Sequence, residues 1–298
     1  MLRISALTLS LGLSGLAADG PFFAEGQAPD TGGKTWVPVP ELSDEFNGDA
    51  IDLEKWQTNP VGERFMWIGR PPGLFQAENV RVEDGSMKVE VGVLPEPVTI
   101  DGDEFLYKGA IVRSNHPGKL GQYFETRMKA NATEMSSTFW LMTPYGSKQK
   151  LELDIQECVG TTNELTHDFA KNWDHVFHSN MIQRKMWNFP EPIQMQGAVE
   201  TDVPNHSRFF VYGCWWKSEK EAQFFLDGKY VYSIIPSTDW TYESYLQMAM
   251  ETYDWNPVPE DGGMVKRGTK EERTTSYDWI RVWQLTDAQA TEAPVVQP

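Results

Sequence analysis

Residues 150–160, KLELDIQECVG, govern how the whole chain is understood. Leu151, Leu153 and Ile155 alternate with Glu152 and Asp154, the period-two pattern of a β-strand with one apolar and one polar face. Glu157 breaks that pattern, because an unbroken strand would aim it at the apolar side, where an ionised carboxylate is costly. A β-bulge after Asp154 supplies the one extra residue that returns Glu157 to its fellow acids. The expectation is therefore a row of three carboxylates, Glu152, Asp154 and Glu157, on one face of one strand. Carboxylates this close resist joint ionisation, so at least one keeps its proton beside an ionised neighbour, the pairing that glycoside hydrolysis requires. A solvated edge strand with an acidic outer face is the plain alternative.

The neighbouring stretches weigh on that choice. Residues 137–143, STFWLMT, put Trp140 in a strand just before the acids, and residues 175–182, HVFHSNMI, follow with alternating polar side chains. Exposed aromatics beside carboxylates suit sugar rings. Further out, 79–94 (NVRVEDGSMKVEVGVL), 121–130 (GQYFETRMKA), 208–216 (RFFVYGCWW), 221–235 (EAQFFLDGKYVYSII) and 276–285 (SYDWIRVWQL) are short, β-branched or aromatic runs. Asp84-Gly85 and Asp227-Gly228 lie between alternating runs, the strongest short-range hairpin signal, and sustained helical periodicity is scarce. So many strands in one chain predict an all-β sandwich or barrel.

The 298 residues, 40% of them hydrophobic with 12 Trp, 15 Phe and 10 Tyr, fill one sizeable core. There is no internal repeat and no second compositional block, so a single domain over 36–286 is expected, with a polar tail at 287–298. A formal net charge of −17 argues against nucleic acid, whose phosphates need a cationic surface. Residues 1–18 carry Arg3, an apolar run and small residues near Ala18, the pattern of a secretory signal peptide and too short to span a bilayer. Residues 19–35 are rich in Pro, Gly and Ala and are expected to be an extended linker. Export without a membrane anchor follows, and a monomer is expected. Cys158 and Cys214 are either one bridge or two buried thiols, because the separation that decides it is invisible in sequence.

On these residues the chain resembles glycoside hydrolase family 16, whose bulged signature E-x-D-x-x-E is matched by Glu152-Leu-Asp154-Ile-Gln-Glu157. Residues 43–48 (SDEFNG), 121–127 (GQYFETR), His178 and 278–283 (DWIRVW) extend the likeness across the folded region. The resemblance implies a β-jelly roll of two curved antiparallel sheets with a concave substrate cleft. It also implies that Glu152 is the nucleophile of a retaining double displacement, Glu157 the general acid and then base, and Asp154 the group that tunes both. At roughly 3.3 Å per residue the two glutamates start about 13–16 Å apart along the chain, whereas retention wants carboxyls about 5–5.5 Å apart, so both side chains must lean inward.

Within the family, 67–75 (WIGRPPGLF) and 251–256 (ETYDWN) look most like enzymes that cut red-algal galactans, the agarases and porphyranases. The resemblance places Trp67 and Arg70 on the non-reducing side of the cleft, Trp140 as a stacking platform, and His178 and Glu251 as hydroxyl ligands near the scissile bond. Each has a bland counterpart: with 12 Trp many are core, and Arg70 in a Pro-Gly loop can be an ordinary surface ion pair. No cofactor is expected for catalysis. A structural Ca²⁺, where family members hold one, would here use Asp278 and the Gly85 carbonyl; an ordinary turn contact of Asp278 is the alternative.

The candidate substrates differ in charge. Agarose is neutral, whereas porphyran carries sulfate, best gripped by an arginine fork. The segment before the acids, 143–150 (TPYGSKQK), holds lysines and no arginine. That favours agarose and a β-agarase, with a β-porphyranase or a carrageenan- or furcellaran-type hydrolase as the alternative. A laminarinase shares the acid signature but not WIGRPPG or ETYDWN. A non-catalytic carbohydrate-binding sandwich would keep the aromatics without needing three acids.

Overall fold

The computed structural model describes residues 19–62 and 64–287; the expected signal peptide and residues 288–298 of the expected tail lie outside the described residues. The short alternating runs become two large sheets. In the first, Lys229–Ile234, Glu221–Leu226, Phe210–Ser218, Tyr123–Lys129, Thr274–Thr286, Ser86–Glu90 and Val80–Glu83 lie side by side, and Thr35–Pro38 joins Thr274–Thr286. In the second the order is Ile193–Glu200, Val176–Gln183, Leu151–Val159, Ser136–Met142, Ser244–Met250, Asp103–Gly118 and Trp56–Gln57. Pairing is antiparallel except where Gly73–Phe75 runs parallel to Asp103–Gly118.

The acid-bearing strand Leu151–Val159 is interior, flanked by Ser136–Met142 and Val176–Gln183. The edge-strand alternative is therefore removed, and the acids sit where backbone pairing on both sides holds them rigid. The true edge, Ile193–Glu200, is largely exposed. At Gly197 an added Cβ would fall 2.6 Å from the ring of Tyr232, so a side chain there would push the edge strand off Lys229–Ile234.

Turn chemistry behaves as the sequence predicts. Asp84 and Gly85 have φ of 53° and 68°, and Asp227 and Gly228 have 48° and 74°. Both central residues are left-handed, the type I′ geometry whose twist matches the strands it joins. A third such pair, Asp101-Gly102, closes Gly92–Ile100 onto Asp103–Gly118.

Between the sheets, Phe139, Leu141, Leu151, Leu153, Ile155, Phe177, Met181 and Leu246 meet Phe124, Tyr212, Phe224, Tyr277, Ile280 and Val282 in one continuous core. Cys158 and Cys214 are both free, buried thiols in that core, which settles the open question against a bridge.

The expected linker is corrected at its start. Residues 22–24 are docked, not loose: the Phe22 amide donates to Glu125 (2.9 Å), the Ala24 amide to the Gly228 carbonyl (3.0 Å), and the Phe23 ring packs edge-on against Tyr123 and Phe225. The fold therefore begins before Trp36. Glu125 is fully buried, its second oxygen taking the Trp283 indole N–H at 2.8 Å, and burial pushes its carboxyl up to about 7. Since the unfolded chain binds the proton less tightly, the stabilising contribution of this group is complete below about pH 4.5 and lost as pH rises through 7. We expect thermal stability to fall across that window by on the order of 3 kcal/mol from this group alone. Glu125→Gln, which misdirects one amide edge at a donor but cannot ionise, should flatten the slope of melting temperature against pH; an unchanged slope would refute the assignment.

Candidate active site

The site is built on the bulge. Phe139 pairs with Gln156 but Trp140 pairs with Asp154, so Ile155 is the inserted residue. Its side chain goes into the core and its carbonyl accepts from Ser179 Oγ at 2.7 Å. Gln156 turns inward as well and locks the distortion: its amide nitrogen donates to the Val176 carbonyl (3.0 Å), while its oxygen accepts from the amides of Glu157 (3.1 Å) and His178 (3.0 Å). The polar interior that a bulge opens is thus satisfied by one side chain. Glu152, Asp154 and Glu157 consequently share one cleft of about 520 Å³, as the spacing of the acids predicts.

Three residues that sequence reasoning missed organise the carboxylates. Asn180, opposite Asp154 in the ladder, uses one amide nitrogen to reach both Asp154 Oδ2 and Glu157 Oε2 at 3.0 Å. Tyr253 donates its hydroxyl to Glu157 Oε1 at 2.7 Å. Arg184 forks onto Glu152, with Nε 2.8 Å from one oxygen and Nη2 bonded to the other. Asn180 lies within a quoted strand and Tyr253 within a quoted motif, so periodicity and proximity could have found them. Arg184, just past a strand end, gave no such signal.

The electrostatics separate the acids. Burial, then the charges of Glu152 and Glu157, push Asp154 well above the ordinary aspartate range, against the opposing pull of Arg184 and Asn180. Glu157 is raised chiefly by burial and further by Glu152, while the Tyr253 hydroxyl, Arg184 and Arg70 oppose the rise. Glu152 carries the guanidinium fork. Two acids pushed toward the protonated form and one carboxylate paired with a guanidinium therefore face the same space.

Trp67, Arg70, Trp140 and Glu251 all line this cleft. Trp67 stands edge-on to Trp140 at 6.2 Å and to Phe75 at 4.9 Å, so the two indoles form a continuous aromatic wall. Arg70 is paired through Nε with Glu251 at 2.8 Å and lies over the Tyr253 ring, so it joins the carboxylate network instead of making an isolated surface contact. Burial raises Glu251 to about 7 despite Arg70.

Two expectations are corrected. His178 is not in the cleft lining: it is buried behind Glu157, Nδ1 3.8 Å from Oε2, with its ring 4.2 Å from Trp173, and burial lowers it to about 4, which keeps it neutral. It lies against Glu157 and Trp173 and outside the residues that line the cleft. Asp278 is bound by Arg127 at 2.6 Å, and no cluster of three potential metal-ligating side chains occurs among the described residues. A carboxylate already neutralised by a guanidinium does not fit a Ca²⁺ site with the Gly85 carbonyl, so this donor set lacks the charge such an ion needs.

Segment 143–150 holds no arginine, but other strands bring arginines to the cleft besides Arg70. Arg113, on Asp103–Gly118, and Arg184 both line it, brought in by strands remote from 143–150. Arg113 is 1% exposed, donates to the Pro60 carbonyl (3.0 Å) and to Gln247 (3.2 Å), and lies over the Phe65 ring. Its Nη2 has no partner, and no carboxylate among the described residues pairs with it. Burial without a counter-charge lowers it to about 10.

Comparison with known proteins agrees with this geometry. A family model described as "Beta-porphyranase A-D, GH16 domain" matches residues 36–285. The chain is 42% identical over 293 residues to Beta-porphyranase B of Zobellia galactanivorans, covering 95% of this chain and 96% of that protein. The crystal structure of porphyranase B from that organism superposes with a TM-score of 0.82 at 43% identity, covering 90% of this chain and 100% of that one. An extracellular agarase of Streptomyces coelicolor is more distant, 25% identical over 281 residues, covering 85% of each.

Proposed function

The chain belongs to glycoside hydrolase family 16, a jelly-roll family of glycoside hydrolases, and on that footing we propose that it is a secreted, endo-acting, retaining β-porphyranase that cuts a sulfated red-algal galactan. The observation that carries the substrate class is Arg113. Arg113 is among the residues lining the aromatic-walled cleft and has one buried guanidinium nitrogen without a partner, and a sulfate of the ligand is the anion whose oxygens would complete it in fork geometry. A neutral agarose chain offers nothing of that kind. The agarase expectation rested on the lack of arginine in 143–150; the likeness to β-porphyranases and the arginine that Asp103–Gly118 brings to the cleft favour the porphyranase alternative.

The mechanism follows from the charges. Glu152 attacks the anomeric carbon while Glu157, held protonated by burial, delivers its proton to the leaving oxygen. Tyr253 and Asn180 fix the direction of that proton. Once Glu152 is esterified its negative charge is gone, and with it one of the influences that raise Glu157 and Asp154. Glu157, already a carboxylate after that transfer, is thereby kept unprotonated and acts as base, taking a proton from the water whose oxygen attacks the anomeric carbon as the ester bond to Glu152 breaks. Asp154, kept protonated between the two glutamates, spares the site a third like charge. Arg184, forked onto both oxygens of Glu152, holds that side chain in place. Trp140 and Trp67 offer ring faces to the sugars of the non-reducing side. Among the described residues no helix is long and apolar enough to cross a membrane, in keeping with a chain released after its leader is removed.

Reducing-end release from porphyran, agarose, β-carrageenan and laminarin, side by side, tests the substrate. Porphyran should be cut far faster than the rest. Arg113→Met should cost about 10²-fold in kcat/KM on porphyran, and Arg113→Lys should recover only part, because the charge returns without the fork. Preferential cleavage of agarose by the wild type, or no effect of Arg113→Met on porphyran, would overturn the proposal.

A further inference from the structure

Beyond the acids the strand Val176–Gln183 continues into Arg184, Lys185 and Met186, and then reverses. Met186 and Phe189 exchange both backbone hydrogen bonds (2.7 and 3.0 Å), closing a two-residue turn with Trp187 and Asn188 at its tip. Trp187 is 92% exposed, more than any other large apolar side chain among the described residues. A single exposed hydrophobe is unremarkable on a protein surface, but the setting of this one is specific. Met186 and Arg184 line the catalytic cleft itself, so the turn is an extension of the cleft rim.

Charge on the rim points the same way. The chain carries a formal −17, yet Lys150, Arg184 and Lys185 come together here, with Arg184 backbone-bonded to Lys150, and no acid occurs from 184 to 190. Glu152 occupies the Arg184 fork, leaving Lys150, which lines the cleft, to face an incoming anion. The cleft crosses the strands of the second sheet. Trp140, Gln247 and Arg113 lie on one side of the acid strand, and Arg184 and the Trp187 turn lie on the other. On the placement of Trp67 and Arg70 at the non-reducing side that the family resemblance implies, this is the side of the leaving group.

We propose that Trp187 is a stacking platform for a galactose ring on the leaving-group side, beyond the sugars that contact the carboxylates, with Lys150 attracting the sulfate of the same stretch of chain. The inference rests on the assignment of Glu152 and Glu157 as the catalytic pair and extends the cleft by a subsite. An indole face against the C–H face of a pyranose buries apolar area on both partners without requiring a particular hydroxyl pattern.

The test is Trp187→Ala, assayed on porphyran oligosaccharides of increasing length labelled at the reducing end, alongside affinity electrophoresis in porphyran gels. The side chain is exposed, so the melting temperature should stay within a degree or so of wild type. For the longest oligosaccharides kcat/KM should fall about tenfold, mainly through KM, with the gap narrowing as the leaving-group side shortens. Trp187→Phe should keep most of the effect of the native residue. The product pattern should shift, and retardation in the gel should weaken. Equal kcat/KM at every length together with equal retardation would overturn the platform. A wild type that cuts another galactan and not porphyran would refute the substrate proposal instead, and the same length series on that polymer would still decide for or against Trp187.

Discussion

Glu152→Gln is expected to reduce hydrolysis of the polymer by at least about 10⁴-fold while leaving the melting temperature near that of wild type. The amide keeps the shape and can still accept from Arg184, but it cannot form the glycosyl ester. Its secondary signature is electrostatic. Glu152 is one of the groups that raise Asp154 and Glu157, so removing its charge should let both acids ionise at lower pH. Following the two carboxyls by NMR or by difference infrared titration would show both transitions moving down. Substantial residual turnover would mean that the nucleophile lies elsewhere; lost turnover with unmoved titrations would mean that the three acids are less coupled than their shared cleft implies.

Glu157→Gln removes the proton donor and should cost about 10²–10⁴-fold on the natural polymer. The loss should depend on the leaving group. With an activated aryl glycoside that needs no protonation, glycosylation should remain fast and the ester should accumulate, because no base remains to activate water. Added azide should then restore turnover by attacking the ester directly, giving a product of the same configuration as the substrate. The alkaline limb of the pH profile, which reports loss of the Glu157 proton, should vanish in this variant. An inverted azide product, or an intact alkaline limb, would contradict the roles given to the two glutamates.

The parts of this protein written in local pattern are legible in the amino-acid sequence alone. Alternation at 151–155, the misplaced Glu157 and the Asp-Gly turns each state a backbone conformation within a few residues, and the bulge, the row of acids and the hairpins follow. Trp67, Arg70, Trp140 and Glu251 are reachable through likeness to a family. Contact between distant segments is not legible in the same way. Arg113 sits in GAIVRSN, a run that looks like any strand end, and only the neighbourhood of Asp103–Gly118 and Ser244–Met250 brings it to the cleft. His178 alternates correctly for a cleft residue, yet Trp173 covers it. The Pro- and Gly-rich start conceals Phe22 and Phe23, whose role depends on a buried carboxylate a hundred residues away.

The bulge at Ile155 also bears on how such a site can vary. A strand is a parity counter, in which even offsets from Glu152 look outward and odd offsets look inward. Asp154 obeys that arithmetic, whereas Glu157 stands at an odd offset and reaches the outer face only because the count is broken once between them. Chain length and the break are therefore one trait, not two. Changing either alone would send a catalytic carboxylate into the packed interior, while losing Ile155 and the bulge together would leave an evenly counted strand with three acids still facing out. Substitution in this strand is cheap by comparison, and a one-residue change that any surface loop would absorb must here arrive with its compensation.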